Sequence, residues 1–385
     1  MPALPRFVIP VVLVLICLAV MAQQVDFSQV DLGRHLKNGE LILTGSHEEA
    51  EAVLHTNHYS YTAPSEPIVN HHWLSGVVFF YLWRIAGFDG LAILYTLLVA
   101  SSICIVYVSA ARSSDRWTAA GLAVASAPII AWRPEPRPEG FTYFFIAVFY
   151  ALLTEWFDGR LRSLWLWVLP PLLCLWINLH VAFVFGFFLL GVFGLKVIFA
   201  EGISALKGRL GLLLGISAVS LGLTLINPAG LQGVLYPFSI FGKIDFPVTE
   251  LQSFAMLYTM KQWSWPHTYF FLLLGSAVGL VFVGGKKRQA FPWPEAIVVI
   301  VFGALALLQT RNMPFFSFRD DPSGGASDRT ADGCGEGSNA QSPARLPGAG
   351  RRHLRHPGGR PVRLRLSRDD GIRHRAQHGK RGEFH

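Results

Sequence analysis

The stretch NHHWLSGVVFFYLWRIAGFDG, residues 70–90, determines how the rest of the chain is oriented. It follows a mostly polar region and carries a run of aromatic and aliphatic residues from Trp73 to Trp83. A helix needs about 20 apolar residues to cross the hydrocarbon core of a bilayer. The run from Trp73 to Gly87 is shorter and contains Arg84. If it crosses a membrane, every later loop changes sides; if it lies on the surface, none does.

The composition is typical of a membrane protein. Of the 385 residues, 52% are hydrophobic and only 15% are charged, whereas soluble domains carry about 25% charged residues. The four cysteines have no metal-site spacing, and three of them lie in apolar runs. We therefore predict an all-α polytopic membrane protein, without a disulfide framework.

Nine apolar ranges are predicted to be transmembrane helices, which gives about nine to ten spans in all. The first is predicted to be an uncleaved anchor, although a signal peptide is the alternative. The ranges are 7–23, 89–110, 117–133, 141–157, 163–179, 181–200, 210–227, 267–285 and 293–310.

The positive charges of the short loops favour one orientation. If 73–87 does not cross, nine Lys and Arg residues fall on the side of Arg112 and Arg160, and five fall on the side of Arg133 and Arg311. Cytoplasmic loops carry the excess of positive charge. The segment 73–87 is therefore predicted to be an interfacial helix in an external first loop, and most polar motifs are predicted to be extracytoplasmic.

The last 67 residues differ from the rest of the sequence. Residues 1–318 are predicted to form the membrane domain, and residues 319–385 a disordered basic tail rich in Gly, Pro and Arg. Such a tail suits anionic lipids. The alternative, which we favour, is a truncated or out-of-frame C-terminus, because the composition changes where a span is expected to continue.

Asp31 stands shortly after the first span, at the start of the first external loop. A carboxylate at that place serves as a general base toward an acceptor hydroxyl. The alternative is a helix N-cap, because Asp precedes an amphipathic segment and is a favoured capping residue.

Further polar residues are predicted to face the same side. Arg133 and Arg137 in WRPEPRPEG suit phosphate binding, or they form a neutralised turn with the adjacent glutamates. His71 and His72 are candidates for sugar or phosphate contacts, but neighbouring histidines on a helix point apart, so we predict no metal site there. The other candidates for substrate binding are Asn178, His180 and Glu250. Asp245 is a further acidic candidate in the same loop as Glu250.

The predicted spans are nearly free of ionisable side chains. Ion-coupled transporters usually need such groups at mid-membrane depth. This argues against transport and for chemistry at the outer surface.

The order of the motifs resembles the GT-C superfamily of bacterial membrane glycosyltransferases, which is similar to protein O-mannosyltransferases and aminoarabinose transferases. The residues that carry the resemblance are DLGRHLKNGELILTG, YSYTAPSEPIVNHHWLSG, RPEPRPEGFTYFF, LWINLHVAFVFGFFLLG, LINPAGLQGVLYPF and RNMPFFSF, within about residues 7–318.

The resemblance implies a sugar donor on a polyprenyl phosphate, membrane lipids as surroundings, an acceptor of unknown identity and no nucleic acid. It implies that Asp31 serves the acceptor and that Arg133 or Arg137 stabilises the departing phosphate. It leaves a divalent cation open, because Asp31-Leu32-Gly33 lacks a second acidic residue. The location implied is the bacterial plasma membrane. The alternative is a non-catalytic protein that binds or assembles lipid-linked carbohydrate.

Overall fold

A computed structural model describes residues 8–23, 31–113, 115–130, 132–240, 252–288 and 293–316. Among these residues the chain is helical without a β-strand, apart from one isolated bridge between Thr56 and Pro67. The predicted tail from 319 onward and its boundary at 318 lie outside the described residues.

Fourteen α-helices are described. They are α1 Val8–Met21, α2 Leu32–Thr44, α3 His47–His55, α4 Trp73–Ser113, α5 Arg116–Ile130, α6 Glu139–Phe157, α7 Leu169–Leu179, α8 Val184–Glu201, α9 Arg209–Thr224, α10 Gly230–Ile240, α11 Phe254–Thr259, α12 Trp265–Arg288, α13 Trp293–Leu308 and α14 Met313–Phe316.

Each of the nine predicted ranges overlaps a helix in the structure, and in 163–179 a 3-10 helix, Ser163–Val168, precedes α7. Four helical segments are long and apolar enough to cross a membrane: Trp73–Arg112, Glu139–Phe157, Val181–Glu201 and Trp265–Val283. Four further apolar helices are shorter, at 10–17 residues. These segments fit an integral membrane protein. Helices α10 and α11 lie in a loop for which the sequence analysis predicted no helix.

The helices have two different ends. At one of them, which we call the loop-rich end, His180 after α7 bonds Thr142 of α6, and Arg311 bonds Glu139 at 2.6 Å. The start of α4 and the residues that directly follow α9 belong to this end, because Trp73 and Ile226 both contact Asn178 there.

The opposite end of the helices gathers a second set of arginines. Glu155 of α6 accepts hydrogen bonds from Arg112 at 2.5 Å and from Arg160 at 2.9 Å. Arg209, at the start of α9, donates to the carbonyl oxygen of Phe157 at 2.6 Å. These three arginines are among those that the sequence analysis placed on the side opposite Arg133 and Arg311, so the predicted grouping holds for them.

Helix α4 is broken at Gly87, whose φ of 61° and ψ of −154° are not helical. This region of backbone conformation is almost restricted to glycine. Without a break, 41 residues at 1.5 Å each would measure about 60 Å, roughly twice the thickness of a hydrocarbon core. The break therefore divides α4 into a short segment, 73–86, and a long segment, 88–113.

The short segment stays at the loop-rich end. Trp73 donates its indole N–H to Asn178 at 2.9 Å, and the Ser75 hydroxyl donates to the Leu179 carbonyl at 2.6 Å. The ring of Phe79 lies 6.0 Å from that of Phe141, in the first turn of α6. The long segment then runs from the loop-rich end to Arg112 at the opposite end. Of the two segments of α4, only the long one therefore extends from the loop-rich end to the opposite end.

Two glycines bring α2 against the short segment of α4. A Cβ atom on Gly39 would collide with the backbone of Gly76, and one on Gly76 would lie 2.7 Å from the carbonyl oxygen of His35. The two backbones therefore touch directly. This contact holds His35 beside His72, with ring centroids 5.4 Å apart.

We predict that Gly39→Ala separates α2 from α4 and destabilises the protein by about 1–3 kcal/mol, as overpacking of a close contact does. Gly33→Ala is the matched control, because it lies on the same helix with no atom within 4 Å of an added Cβ. That substitution should be neutral or slightly stabilising, because alanine favours a helix over glycine. Thermal unfolding in detergent measures both variants. Equal melting temperatures for the two variants would contradict the close contact.

Candidate functional site

A cavity of about 1040 Å³ opens at the loop-rich end. Its walls come from α2, the residues before α4, the turn before α6, and helices α8, α9, α10 and α13. The predicted site residues Asp31, His71, His72, Arg137 and His180 all line it. Residues distant in sequence thus meet in a single space.

The cavity wall has a polar part and an apolar part. The polar part includes the charged and imidazole side chains near α2 and the start of α6. The apolar part is formed by α8, α9 and α13, and includes Phe185, Phe188, Leu221, Val301 and Leu305. An amphiphilic molecule, with a polar group and a hydrocarbon chain, matches this division of the wall.

The arginines before α6 are held by a rigid, proline-rich turn. Pro134, Pro136 and Pro138 alternate with charged residues, and proline fixes the backbone φ. Glu135 accepts from Nε of Arg137 at 2.9 Å and from Nε of Arg133 at 3.4 Å. Arg137 lines the cavity, whereas Arg133 is buried behind it.

Glu139 does not complete a neutral turn with these arginines. It is buried at the start of α6 and bonds Arg311, which follows α13. Among the described residues, the three guanidinium groups of Arg133, Arg137 and Arg311 lie with the carboxylates of Glu135 and Glu139, and these five groups sum to one positive charge. A local positive charge at the cavity favours an anionic ligand group.

Four histidines form a cluster in the polar part of the cavity. The ring centroids of His71 and His72 are 3.9 Å apart, those of His72 and His180 are 5.0 Å apart, and His35 lies beside His72. The prediction that His71 and His72 point apart was wrong, because they lie in a turn before α4 rather than on a helix. Among the described residues, no group of three or more His, Cys, Asp or Glu side chains is placed to hold a metal ion.

Burial keeps this cluster uncharged. It lowers the pKa of His35 and of His180 to about 4 and that of His71 to about 3. Burial also lowers the pKa of His72 well below its ordinary value, and the neighbouring histidines add to this effect. At neutral pH the four rings therefore act as uncharged hydrogen-bonding groups.

Asp31 lies at the rim of the cavity. Its side chain is 68% exposed and forms an ion pair with Arg34 at 3.2 Å. It occupies the N-cap position of α2 without a side-chain capping hydrogen bond. The geometry therefore gives no support to the capping alternative, and the carboxylate remains accessible from outside.

Asn178 has a different setting from the other candidates. It accepts from the Trp73 indole, and its amide group donates to the carbonyl oxygens of Cys174 and Ile226 at 2.8 Å each. It ties three segments together and does not line the large cavity. Glu250 and Asp245 lie outside the described residues.

Several cavity residues were missed by the sequence analysis as site candidates. They are Arg34, His35, Glu139, Tyr236 and Arg311. A signal was present for His35, because His35, Asn38 and Gly39 share one buried face of α2. Polar residues on the buried face of an amphipathic helix indicate a polar partner in the interior.

No family model matches the chain, and comparisons with curated proteins and with solved structures found no match either. The resemblance to GT-C glycosyltransferases therefore stays a prediction. What the cavity binds has to be inferred from its own residues and geometry.

We predict that the histidine cluster makes stability depend on pH. The folded protein keeps these rings neutral, while the unfolded chain takes up protons below its ordinary histidine pKa of about 6.5. Stability is then fully present above about pH 6.5 and falls as the pH drops toward 4, by up to about 1.4 kcal/mol per pH unit for each histidine.

Thermal unfolding between about pH 7 and about pH 5 measures this slope, in a range above the titration of ordinary carboxylates. His35→Gln should make the slope shallower by about one proton. The matched control, His47→Gln, changes an exposed histidine and should leave the slope unchanged. A pH-independent melting temperature in the unsubstituted protein would show that the cluster is not buried and neutral.

Proposed function

We propose that this chain is an integral membrane glycosyltransferase of the GT-C type, located in a bacterial plasma membrane. It moves a sugar from a polyprenyl-phosphate donor to an acceptor hydroxyl on the extracytoplasmic face. The observation that supports this function best is the cavity, which combines a cationic rim, a neutral histidine cluster and a wall of apolar helices.

A phosphate fits the arginine part of the cavity. Arg137 and Arg311 line the space, and planar guanidinium groups bind phosphate oxygens in pairs. Both side chains already contact carboxylates, so they are oriented before a ligand arrives. Arg133 supports Arg137 through their shared partner Glu135 and adds positive charge from behind.

A hydrocarbon chain fits the apolar part. The phenylalanine, leucine and valine side chains of α8, α9 and α13 lie on helices that extend from the loop-rich end toward the opposite end. Burial of apolar surface contributes roughly 25 cal/mol per Å². A polyprenyl chain therefore gains affinity there, while its phosphate meets the arginines.

We further propose that the loop-rich end faces out of the cytoplasm and that about nine to ten helices cross the bilayer. More of the Lys and Arg residues of the short loops belong to the opposite end than to the loop-rich end. Cytoplasmic loops carry the excess of positive charge. Exposed tryptophans occur at both ends, with Trp83 and Trp265 at the loop-rich end and Trp117 and Trp165 at the other. Tryptophan favours both membrane–water interfaces, and the short segment 73–86 lies in the outer one.

In the proposed reaction, the acceptor hydroxyl enters from the rim. Asp31 takes its proton, and the hydroxyl oxygen bonds to the anomeric carbon of the sugar. The bond from that carbon to the phosphate oxygen breaks, and its electron pair leaves with the lipid phosphate. Arg137 stabilises the charge that develops on the leaving phosphate. The sugar is surrounded by His71, His72 and His180. Glu250 is a further candidate for substrate binding. The steps leave the need for a divalent cation open.

A second function is favoured by the setting of Asp31. Its carboxylate is mostly exposed and paired with Arg34, which suits a surface ion pair as well as a base. The protein would then bind or assemble lipid-linked carbohydrate without transferring the sugar.

We predict that Asp31→Asn lowers sugar transfer by about 100- to 10,000-fold, the usual contribution of a general base, while donor binding is retained. Arg137→Ala should weaken donor binding as well, because the phosphate is charged before and after transfer. Transfer assays and lipid-binding measurements on the same preparations separate the two effects. Glu48→Gln, an exposed acid on α3 at the same end, serves as the control and should change neither.

If Asp31→Asn leaves a measurable rate of sugar transfer unchanged, another residue must be the general base. Donor binding without transfer in the unsubstituted chain would favour the binding function. Absence of both would reject the lipid-linked donor.

A further inference from the structure

His180 is the most constrained member of the histidine cluster. It follows the last residue of α7 with an extended backbone, and its side chain is buried against α6. Two of its neighbours, Trp176 and Thr142, are completely buried. Its ring cannot turn without breaking contacts on both sides.

A chain of hydrogen bonds fixes the chemistry of this ring. The Trp176 indole N–H donates to the Thr142 hydroxyl oxygen at 2.9 Å, and that hydroxyl lies 2.7 Å from Nδ1 of His180. The backbone N–H of Ala182 donates to the same Nδ1 at 3.3 Å. An indole and a backbone N–H are donors only. Nδ1 therefore accepts, and the Thr142 hydroxyl donates to it.

The proton of the neutral His180 ring must then be on Nε2. A proton on Nδ1 would face the Ala182 N–H, donor against donor. Nε2 has no hydrogen-bond partner among the described residues. The atom is buried, and the ring of His72 stacks on the face of the His180 ring. His180 is thus an enclosed N–H donor at the wall of the cavity.

We propose that Thr142 and Trp176 are positioning residues that hold His180 as an Nε2–H donor to an oxygen of the bound lipid-linked sugar, a contact that requires the side chains enclosing Nε2 to move. The inference rests on the proposed function for the identity of the ligand. A neutral donor of fixed tautomer suits a hydroxyl or phosphoryl oxygen equally, so the class of ligand atom is an oxygen acceptor. If the oxygen belongs to the sugar, the contact requires a glycosylated lipid. If it belongs to the phosphate, the lipid phosphate alone provides it.

The first test observes the tautomer and needs no activity. Nitrogen-15 NMR of histidine-labelled protein reports which ring nitrogen carries the proton, and the difference from His180→Gln assigns the signals. We expect an unprotonated Nδ1 and a protonated Nε2 in the unsubstituted protein and in Thr142→Ser. Thr142→Val and Thr142→Ala lack the hydroxyl and keep only the longer Ala182 N–H contact to Nδ1, so the share of the Nδ1–H tautomer should rise. A proton on Nδ1 in the unsubstituted protein would overturn the inference.

The second test measures binding of undecaprenyl phosphate and of its glucosyl ester to the same folded proteins. Binding should weaken in Thr142→Val and Thr142→Ala in proportion to the His180 rings that lose the Nε2 proton, about two-fold for an equal mixture of tautomers, with recovery in Thr142→Ser. Weakening for both lipids identifies a phosphate oxygen, and weakening for the glucosyl ester alone identifies a sugar oxygen.

Other outcomes reject separate parts of the account. Equal binding by the serine, valine and alanine variants would overturn the role of Thr142, even with the expected tautomer. If the unsubstituted protein bound neither lipid, the proposed function would fail and the ligand assigned to His180 would fail with it. The NMR result then shows independently whether the hydrogen-bond chain exists.

Discussion

The site depends on the backbone contact between α2 and the short segment of α4. Gly39 and Gly76 allow the two helices to touch, and no larger residue fits at either position without displacement. The contact brings His35 against His72 and holds α2, with Asp31 and Arg34, over the cavity. Without it, α2 would lie farther from α4, and the polar wall of the cavity would lose one side.

The cavity contains two kinds of polar side chain, charged arginines and uncharged histidines. Its arginines are paired with carboxylates, which offsets part of the cost of burying them. Its histidines are packed against one another, so burial removes their charge instead of pairing it. This arrangement gives a ligand two kinds of partner: fixed positive charge for an anion, and uncharged donors and acceptors for hydroxyl groups. Both lie beside a wall of phenylalanine and leucine, so an amphiphilic ligand contacts all three within one space.

Much of the fold was predictable from the sequence, because long apolar runs form helices wherever they occur. The nine predicted ranges and the grouping of Arg112 and Arg160 against Arg133 and Arg311 follow from composition and loop charge. The structure brings the candidate residues Asp31, Arg137, His71, His72 and His180 to one cavity, and the sequence suggested them because they are polar residues between apolar runs. The alternative of a neutral turn paired Glu139 with the neighbouring arginines, whereas Glu139 bonds Arg311, and the pairing of Thr142 with His180 was not considered. Those pairings join helices distant in sequence, which local patterns do not reveal. Asn178 was taken for a ligand-binding residue, yet its partners are Trp73 and two backbone carbonyls.

The most direct measurement is an experimental structure of the protein with undecaprenyl phosphate in lipid nanodiscs. The account predicts density for the phosphate beside Arg137 and Arg311, and density for the prenyl chain along α8, α9 and α13. It also predicts that the histidine cluster lies next to the phosphate, where a sugar would sit. A phosphate bound at the opposite end, near Arg112 and Arg209, or a prenyl chain that leaves the cavity empty, would contradict it.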